Sequence, residues 1–234
     1  GAMTPLPTTP DAAPQAPGAA THPAGDTALV PILQLEEDDR EALREHLLRL
    51  DAGDRYLRFG YAATDEQVGR YVDALDFRRD DLFGIFNRRL RLIALAHLAA
   101  GSALECGACA EFGVSVDPAS RGRGYGTLLF ERAVRHARNE GVELLFIHAL
   151  SENAAMLHIA RRAGATLEPA GSETEAYLRL PPATLDSRMA ELVEQQVAET
   201  DFLLKRQARQ FRRFLATVQE VRQGVREARA HCAP

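Results

Sequence analysis

Three glycines at alternate positions stand just before a helical pattern, in the stretch SRGRGYGTLLFERA at residues 120–133. Inside regular structure, glycine costs roughly 0.5–1 kcal/mol relative to alanine, because it loses more backbone freedom on folding. At a helix N-terminus, free N–H groups and the helix dipole attract anions, and glycine lets a phosphate come close to the main chain. The stretch therefore predicts a phosphate-binding turn formed by residues 121–126.

Two familiar phosphate-binding motifs do not fit this turn. A P-loop requires G-K-[ST] after its four-residue spacer, and the stretch lacks it. A dinucleotide-binding fingerprint that starts at Gly122 and Gly124 would need a third glycine where the chain has Thr127. The pattern that does fit is R-x-x-G-x-G, formed by Arg121, Gly124 and Gly126.

A carboxylate and a pair of cysteines precede the turn. Glu111 lies in the apolar segment GACAEFGVSV, where an unpaired carboxylate would be costly to bury. It either accepts a proton in catalysis or pairs with an arginine at the rim of the sheet. Cys106 and Cys109 form a C-x-x-C, which is either two small half-buried thiols or a metal or redox site. A zinc site would need two more ligands at fitting spacing, and no second such pair exists in the sequence.

Hydrophobic periodicity and turn residues predict the elements that position these groups. We expect strands in the segments TALVPILQL, LFGIFN, RLRLIALAHLAA, GACAEFGVSV, VELLFIHAL, ATLEP and EAYLRL. The apolar run VELLFIHAL is typical of a central strand covered on both faces. We expect helices over 36–50, 65–75, from the glycine turn to about residue 139, and over 152–163 with Ser151 as its cap, and an arginine-aromatic loop over 54–64.

Residues 27–180 resemble the GNAT N-acetyltransferase superfamily. The resemblance rests on EFGVSVDPASRGRGYGTLLFERA and on NAAMLHIARRAGA, with a helix and a strand between them. It implies an α/β fold, with a mixed, largely antiparallel twisted sheet flanked by helices and split by a cleft for acetyl-CoA, the co-substrate. It also implies which residues bind acetyl-CoA: the backbone of Val114, Ser115 and Val116 for the pantetheine arm, the turn of Arg121, Gly122, Arg123, Gly124, Tyr125 and Gly126 for the pyrophosphate, and Asn153 for the arm.

The resemblance gives a candidate base but no clear acid. Glutamates near Glu111 serve as the base in several relatives that acetylate protein lysines, and Glu105 is our second choice. Many members carry a tyrosine seven positions after the asparagine as the acid for the leaving thiolate, and this chain has Ala160 there. His158 is a candidate for a catalytic role, although a lone histidine on a helix is more often structural. Protonation by solvent, by another residue, or binding without efficient transfer all remain open.

The sequence indicates the acceptor amine less closely than the acetyl-CoA site. DRYLRF at 54–59, AEFGVSV and the N-x-x-M helix look like the branch that contains bacterial protein-lysine acetyltransferase domains. We therefore expect a primary amine, either a protein lysine or a small molecule. The alternative is a catalytically weak acetyl-CoA-binding sensor or scaffold that acts through its C-terminal helices.

Composition and chain ends limit the other possibilities. The net charge of −5 argues against a general nucleic-acid binder, and no apolar run approaches the roughly 18 residues that span a bilayer. Three cysteines fit a reducing compartment, so we expect a cytoplasmic, bacterial protein with no metal. We expect residues 1–25 to be a tag remnant and a disordered Pro/Ala-rich tail, 26–181 to be the acetyltransferase domain, and 182–234 to be a helical extension.

The extension has an apolar seam. Leu204, Phe211, Val218 and Val225 recur every seven residues, with Ala208 and Leu215 on the same stripe. A helical hairpin that packs on its own domain, and an arm over 183–231 that binds a second copy or a helical partner, are equally compatible with this pattern. A basic helix that binds a membrane or nucleic acid is the third and weakest alternative.

Overall fold

The computed structural model describes residues 29–101 and 108–231. They form a seven-stranded sheet with helices on both sides and one long C-terminal helix. The strands are β1 (Leu33–Gln34), β2 (Asp81–Phe86), β3 (Leu92–Ala100), β4 (Cys109–Val116), β5 (Leu144–Leu150), β6 (Thr166–Ala170) and β7 (Glu173–Arg179). The helices are α1 (Arg40–Arg49), α2 (Ala52–Phe59), α3 (Asp65–Asp73), α4 (Tyr125–Asn139), α5 (Ala154–Arg162) and α6 (Leu185–His231), with short 3-10 turns at Glu37–Asp39 and Pro118–Ser120.

The sheet order is β1-β2-β3-β4-β5-β7-β6, and every neighbouring pair is antiparallel except β4 with β5. The prediction of a mixed, largely antiparallel sheet is therefore confirmed. β4 pairs with β5 only from Cys109 to Glu111, whereas its pairing with β3 continues to Val116. Beyond Glu111 the two parallel strands separate, and a cleft opens between them.

Two apolar clusters hold the sheet between its helices. One lies between the sheet and helices α4 and α5 and includes Phe112, Leu129 and Ile147. The other lies between the sheet and helices α1 and α3 and includes Leu43, Val68 and Leu95. β2 and β3 contribute side chains to both clusters, because successive residues of a strand point to opposite faces, whereas β4 contributes Ala110 and Phe112 to the first cluster.

The predicted loop at 54–64 is wrong for residues 54–59, which belong to helix α2, whereas residues 60–64 have no regular structure. Asp51 caps the helix by accepting a hydrogen bond from the N–H of Asp54 at 2.8 Å, and Gly60 ends it with φ of 81°. Arg55 is buried and donates to the carbonyl oxygens of Leu50, Ala63 and Leu48. These contacts compensate for burying a charged side chain that the sequence pattern assigned to a loop.

Three smaller expectations also differ from the structure. The N-terminal strand is confined to β1, so most of TALVPILQL within the described residues has no regular structure. The cap of α5 is Asn153, whose Oδ1 accepts from the N–H of Met156, while the hydroxyl of Ser151 bonds to Thr174 instead. β5 is not covered on both faces, because His148 is exposed and buried residues alternate along part of the strand.

The C-terminal segment is a single helix, so the predicted helical hairpin is wrong. No glycine or proline occurs between residues 185 and 223 that would interrupt it. The first part of α6 packs on α4: Glu191 accepts hydrogen bonds from Arg132 at 2.8 Å and from Asn139. Further along, Lys205, Arg209 and Arg212 donate to the carbonyl oxygens of Phe86, Arg89 and Arg88 in the β2–β3 turn.

Other residues of α6 are left exposed. Leu204, Phe211, Phe214 and Leu215 are between 43% and 63% exposed, whereas the side chains of Val218 and Val225 lie outside what the structure describes. In the part of the chain that the structure describes, no helix is both long enough and apolar enough to span a membrane. The expected disorder of residues 1–25 falls outside the described residues.

Candidate active site

The largest group of predicted site residues lines one cavity of about 460 Å³, which we call the larger cavity. It lies between the open edge of β4, the glycine turn and helix α5, and helix α2 forms its rim. Predicted residues that line it are Val114, Ser115, Val116, Arg121, Gly122, Gly124, Tyr125, Gly126, Asn153 and His158. Arg123 is not among its lining residues.

The three glycines of the turn meet two different requirements. Gly122 and Gly124 have φ of 77° and 76°, the left-handed region that side chains rarely adopt. A Cβ at either position would meet no atom within 4 Å, so the backbone there faces open space. A Cβ on Gly126 would lie 3.4 Å from Cδ1 of Ile159, so this glycine allows α4 and α5 to pack closely.

The N-terminus of α4 leaves backbone donors free toward the turn. Its first hydrogen bond joins the N–H of Leu128 to the oxygen of Gly124 at 3.1 Å. The N–H groups of Tyr125, Gly126 and Thr127 therefore have no intrahelical acceptor. Gly124 is the N-cap and offers no side-chain cap, so an anion is the partner that this helix end favours.

The edge of β4 that faces the cleft presents a second set of free backbone groups. The N–H of Asp117 bonds to the oxygen of Ile93, so the odd-numbered residues of β4 face β3 in the antiparallel ladder. Val114 and Val116 consequently direct their N–H and C=O groups away from β3. Because β5 has separated at this point, these groups are open to the larger cavity.

The end of β4 is fixed by buried polar contacts. His46 is fully buried, with Nε2 2.9 Å from the hydroxyl of Ser115 and Nδ1 3.2 Å from the carboxylate of Asp117. Burial alone would raise the pKa of Asp117, but His46, Arg49 and Arg91 outweigh it and keep the pKa below its ordinary value. Ser115 therefore anchors the strand through its side chain.

The arginines of the turn differ in their partners. Arg121 forms an ion pair with Asp54 in the first turn of α2, across the mouth of the larger cavity. Arg123 is exposed and lines a separate cavity between α4 and α6. Asp54 is a partner that the sequence pattern did not indicate.

A smaller cavity of about 190 Å³ adjoins the larger one. Glu111 lines this cavity. Its carboxylate has no hydrogen bond or ion pair to any described residue, so the alternative in which Glu111 pairs with an arginine is not found among them. His158 lines the larger cavity and does not line the smaller one, so these two candidate catalytic residues are not brought together. Glu105 lies outside the described residues. The two cavities share a wall formed by Leu57, Arg58, Val114, Asn153 and Met156.

The smaller cavity also contains a chain of hydrogen-bonded polar groups. The hydroxyl of Tyr71 lies 2.6 Å from Nδ1 of His97, and Nε2 of His97 lies 3.0 Å from Oδ2 of Asp80. Arg58 donates to the Tyr71 hydroxyl at 2.9 Å. Arg58 reaches this position across β4 at Gly113, where an added Cβ would lie 2.8 Å from its Cζ.

Residues 78–165 match the model of the acetyltransferase (GNAT) family. The matched segment runs from just before β2 to just after the end of α5. No curated protein sequence matches the chain significantly.

Solved structures with the GNAT fold are similar to this chain at low identity. The GNAT domain of S. lividans PAT is 21% identical with a TM-score of 0.55, covering 64% of this chain and 89% of its own. A spermidine N-acetyltransferase from Vibrio cholerae, solved with CoA and spermine, is 17% identical with a TM-score of 0.50, covering 63% and 94%. A putative acetyltransferase from Salmonella typhimurium, solved with its cofactor acetyl-CoA, is 16% identical with a TM-score of 0.51, covering 65% and 95%.

Arg58, Tyr71, Asp80 and His97 were not predicted as site residues. One signal was available: His97 is the single polar residue in the apolar run LIALAHLAA, and a polar residue in a buried strand needs a hydrogen-bond partner. Its partners lie 26 and 17 residues away, so the pattern did not identify them.

Among the described residues, the cysteines form no metal site. The structure contains no group of three or more His, Cys, Asp or Glu side chains suited to a metal ion among residues 29–101 and 108–231. Cys109 is buried and disulfide-bonded, which differs from the expected thiol. Cys106 and Cys232 lie outside the described residues.

Proposed function

We propose that this protein is an acetyl-CoA-dependent N-acetyltransferase that moves the acetyl group to a primary amine. One observation carries the proposal: the glycine turn and the unpaired edge of β4 open into the same cavity, which adjoins a second cavity containing a carboxylate. Such an arrangement suits a long phosphorylated thioester on one side and an amine on the other.

The larger cavity fits coenzyme A by its donors. The diphosphate would accept hydrogen bonds from the amides of residues 121–126 and from the free N–H groups at the start of α4. Arg121 and Arg123 would add positive charge. The amide groups of the pantetheine arm would pair with Val114 and Val116 as an added strand, with Asn153 beside the arm. Ser115 would support the strand through His46 rather than contact the arm with its hydroxyl.

The chemistry requires a neutral amine, a positioned thioester and a proton acceptor. Glu111 is our proposed base, because its carboxylate lines the smaller cavity and has no partner among the described residues. His158 is exposed on α5 beside the larger cavity, where it is closer to the proposed coenzyme A site than to the acceptor site. Ala160 is fully buried and supplies no acid for the thiolate.

The acceptor is proposed as a primary amine of either a protein lysine or a small molecule. The spermidine N-acetyltransferase that shares the fold supports an amine. A narrow cavity of about 190 Å³ suits a slender aliphatic amine such as a lysine side chain or a polyamine end. We propose a transferase unit over 26–181 and a helical extension over 182–234. A cytoplasmic, bacterial protein stays a prediction of the sequence.

The proposal is tested by binding and by thiol release. Calorimetry with acetyl-CoA measures binding, and free thiol is followed with spermidine, n-butylamine and a lysine peptide as acceptors. Gly124→Ala should abolish or strongly weaken acetyl-CoA binding, because the Cβ strains the turn and stands where the diphosphate must approach. Gly141→Ala is the matched control, since Gly141 has φ of 83° and no atom near its Cβ but does not line the larger cavity.

The possible outcomes distinguish the transferase from the alternative function. Binding by the unchanged protein and by Gly141→Ala, lost in Gly124→Ala, with thiol release from at least one amine, supports the transferase. Absence of acetyl-CoA binding contradicts it. Binding without thiol release from any amine favours the alternative function, a sensor or scaffold acting through α6, for which the missing tyrosine at position 160 is the supporting observation.

We also propose that α6 binds a second copy of this chain in antiparallel orientation. Its exposed apolar residues run along the helix from Leu185 to Leu215. Residues 185–201 contain five acidic residues and one arginine, a net charge of −4, whereas 202–217 contain five basic and no acidic residues, a net charge of +5. Glu191 and Glu194 already pair with Arg132 and Arg135, and Lys205, Arg209 and Arg212 contact the β2–β3 turn. Asp186 and Glu199 in the first half and Arg206 and Arg213 in the second have no ion pair among the described residues, and an antiparallel pair places these opposite charges beside each other.

Light scattering tests this pairing. The unchanged protein should have twice the chain mass, and Leu204→Glu combined with Phe211→Glu should reduce it to one chain. Gln207→Ala is the control for a surface change on the same helix, because Gln207 is exposed and uncharged. A single-chain mass for the unchanged protein contradicts the dimer, whatever the result for the transferase.

A further inference from the structure

We propose that Tyr71, His97 and Asp80 form a proton relay in the smaller cavity, in which His97 removes the proton of the acceptor amine through the hydroxyl of Tyr71. The proposal deepens the proposed transferase function and depends on it. It assigns Tyr71 as the catalytic group that touches the amine and assigns His97 and Asp80 as the groups that act through it.

The direction of each hydrogen bond in the relay follows from its partners. Asp80 lies 3.0 Å from Nε2 of His97 and also accepts from the N–H of Ala100 at 3.3 Å. An ionised carboxylate only accepts, so Nε2 carries the hydrogen and Nδ1 of the neutral ring does not. Tyr71 must then donate its hydroxyl hydrogen to Nδ1, 2.6 Å away.

Arg58 completes this assignment. A guanidinium only donates, so the bond of 2.9 Å from Arg58 to the Tyr71 hydroxyl occupies one lone pair of the phenolic oxygen. The second lone pair remains for a proton from a molecule in the cavity, which both Tyr71 and His97 line. The relay is thus arranged to take up a proton at Tyr71 and store it on His97.

Burial keeps the relay away from water. His97 is 9% exposed, and the side chain of Asp80 is 11% exposed. Burial would raise the pKa of Asp80, but its hydrogen bonds with His97 and with the N–H of Ala100 hold the pKa below the ordinary value, so the carboxylate stays ionised. Burial raises the pKa of Tyr71, which therefore acts as a neutral conduit rather than a phenolate.

The proton transfers balance without any further reactant. The amine nitrogen attacks the thioester carbonyl carbon, a C–N bond forms, and the nitrogen becomes positively charged. Its proton passes to the Tyr71 oxygen while the hydroxyl proton of Tyr71 passes to Nδ1 of His97, giving an imidazolium that Asp80 stabilises. The C–S bond then breaks, the thiolate takes a proton from solvent, and His97 returns its proton to solvent.

Several other charges face the relay and affect its titration. Arg58 comes from α2, Arg79 lies 3.8 Å from Asp80, and Glu111 on β4 interacts electrostatically with Tyr71. His148 on β5 lines the same cavity and lies 3.5 Å from Glu175 on β7. Glu111 attracts the cationic amine into the cavity, takes its first proton so that the nitrogen is neutral for attack, and passes that proton to solvent; His97 receives the second proton, which the nitrogen releases after the C–N bond has formed.

Kinetic measurements on the full-length protein distinguish the role of the relay from that of Glu111. Tyr71→Phe keeps the ring and removes the hydroxyl, so kcat/KM for spermidine or a lysine peptide should fall by about 100-fold or more. The acidic limb of the pH profile of kcat/KM should disappear with it. Asp80→Asn should also flatten this limb, and Tyr61→Phe, an exposed tyrosine outside both cavities, should leave rate and profile unchanged.

A second measurement needs no substrate. Nitrogen-15 NMR of labelled histidine should find neutral His97 with its hydrogen on Nε2, with the signal assigned by its loss in His97→Gln. Tyr71→Phe should change the nitrogen-15 chemical shift of Nδ1 of His97, because it removes the hydrogen bond to that nitrogen, and Tyr61→Phe should not. Hydrogen on Nδ1 would overturn the relay, because that nitrogen could not then accept the proton of Tyr71.

These experiments distinguish a failure of the relay from a failure of the proposed function. Thiol release that persists within about threefold in Tyr71→Phe, or a pH limb lost in Glu111→Gln but kept in Tyr71→Phe, overturns the relay and leaves the transferase intact. Acetyl-CoA binding without thiol release from any amine overturns both. Calorimetry on Tyr71→Phe with acetyl-CoA checks that the variant still folds and binds.

Discussion

Arg121 of the glycine turn forms an ion pair with Asp54 of α2, and this pair bridges the two sides of the larger cavity. Asp54 is held at the start of its helix, where its side chain is 10% exposed. A diphosphate in the proposed site would compete with this carboxylate for the same guanidinium. The pair therefore links helix α2 to the occupancy of the turn.

Arg121→Ala is expected to weaken acetyl-CoA binding by about tenfold, because it removes a charge-assisted contact and leaves Asp54 near the phosphates. Asp54→Asn should strengthen binding several-fold, since Arg121 loses its competitor. Calorimetry measures both, and the double variant should show that the two effects are not additive. Equal affinity in all four proteins would mean that Arg121 does not reach the phosphates.

Gly113→Ala is expected to damage activity more than stability. Its Cβ would lie 2.8 Å from Cζ of Arg58, and this flexible side chain would move aside at little cost in unfolding free energy. The hydrogen bond from Arg58 to Tyr71 would then be lost, and kcat/KM should fall by about tenfold or more. Thermal melting and thiol release measured on one preparation check the contrast; a large loss of stability with unchanged kcat/KM would contradict it.

Gly69→Ala should stabilise the protein by about 0.5–1 kcal/mol, because Gly69 lies within α3 and alanine is the better helix former. The added Cβ would meet only the guanidinium of Arg44, at 3.4 Å, and this group can shift. Chemical denaturation measures the free energy of unfolding. A decrease would show that the contact between Arg44 and α3 is less adaptable than proposed.

The docking of α6 should depend on pH through His136 and Glu191. Burial opposes the charge on His136, but its bonds to Asp81 and Glu191 raise its pKa to about 9. Protonated His136 therefore stabilises the fold fully below pH 6.5, and this contribution is lost as pH rises toward 9. Burial likewise opposes the charge on Glu191, but His136, Asn139 and Arg132 lower its pKa to about 2, so its contribution is lost as pH falls from 4.5 toward 2.

The melting temperature should accordingly fall between pH 6.5 and 9. Glu191→Gln should flatten this fall and destabilise the protein by about 3 kcal/mol, since the buried Arg132 loses the closer of its two carboxylate partners, Glu191 at 2.8 Å, and keeps Glu194 at 3.6 Å. Glu199→Gln is the control on the same helix, because Glu199 bonds only to Gln195. A melting profile with the same slope in Glu191→Gln and the unchanged protein would contradict the assignment.

The sequence predicted the parts of the fold with strong local signals. The glycine-rich stretch predicted a turn before α4, where Gly122 and Gly124 have left-handed backbone, and the apolar segments at β2, β3 and β4 predicted strands there. Helix α2 was not predictable in this way, because Arg55 is buried through bonds to carbonyls outside its helix. The local pattern cannot show such tertiary contacts.

The candidate site likewise has one part that the sequence predicted and one part that it did not. The proposed phosphate donors are consecutive residues, so one short motif contains them. The proposed relay joins Tyr71, Asp80 and His97, which come from a helix, a turn and a strand and meet only after the sheet has formed. Residues separated by such distances along the chain become a site through topology rather than through a motif.

The contacts of α6 with the β2–β3 turn are made to main-chain oxygens. Lys205, Arg209 and Arg212 bind the carbonyls of Phe86, Arg89 and Arg88. These hydrogen bonds do not depend on which side chains the turn carries. Any sequence that keeps the shape of this turn would hold the helix equally well. The side chains of Arg88 and Arg89 can therefore change without weakening the attachment of α6. The surface of this turn can differ from one homologue to another for the same reason.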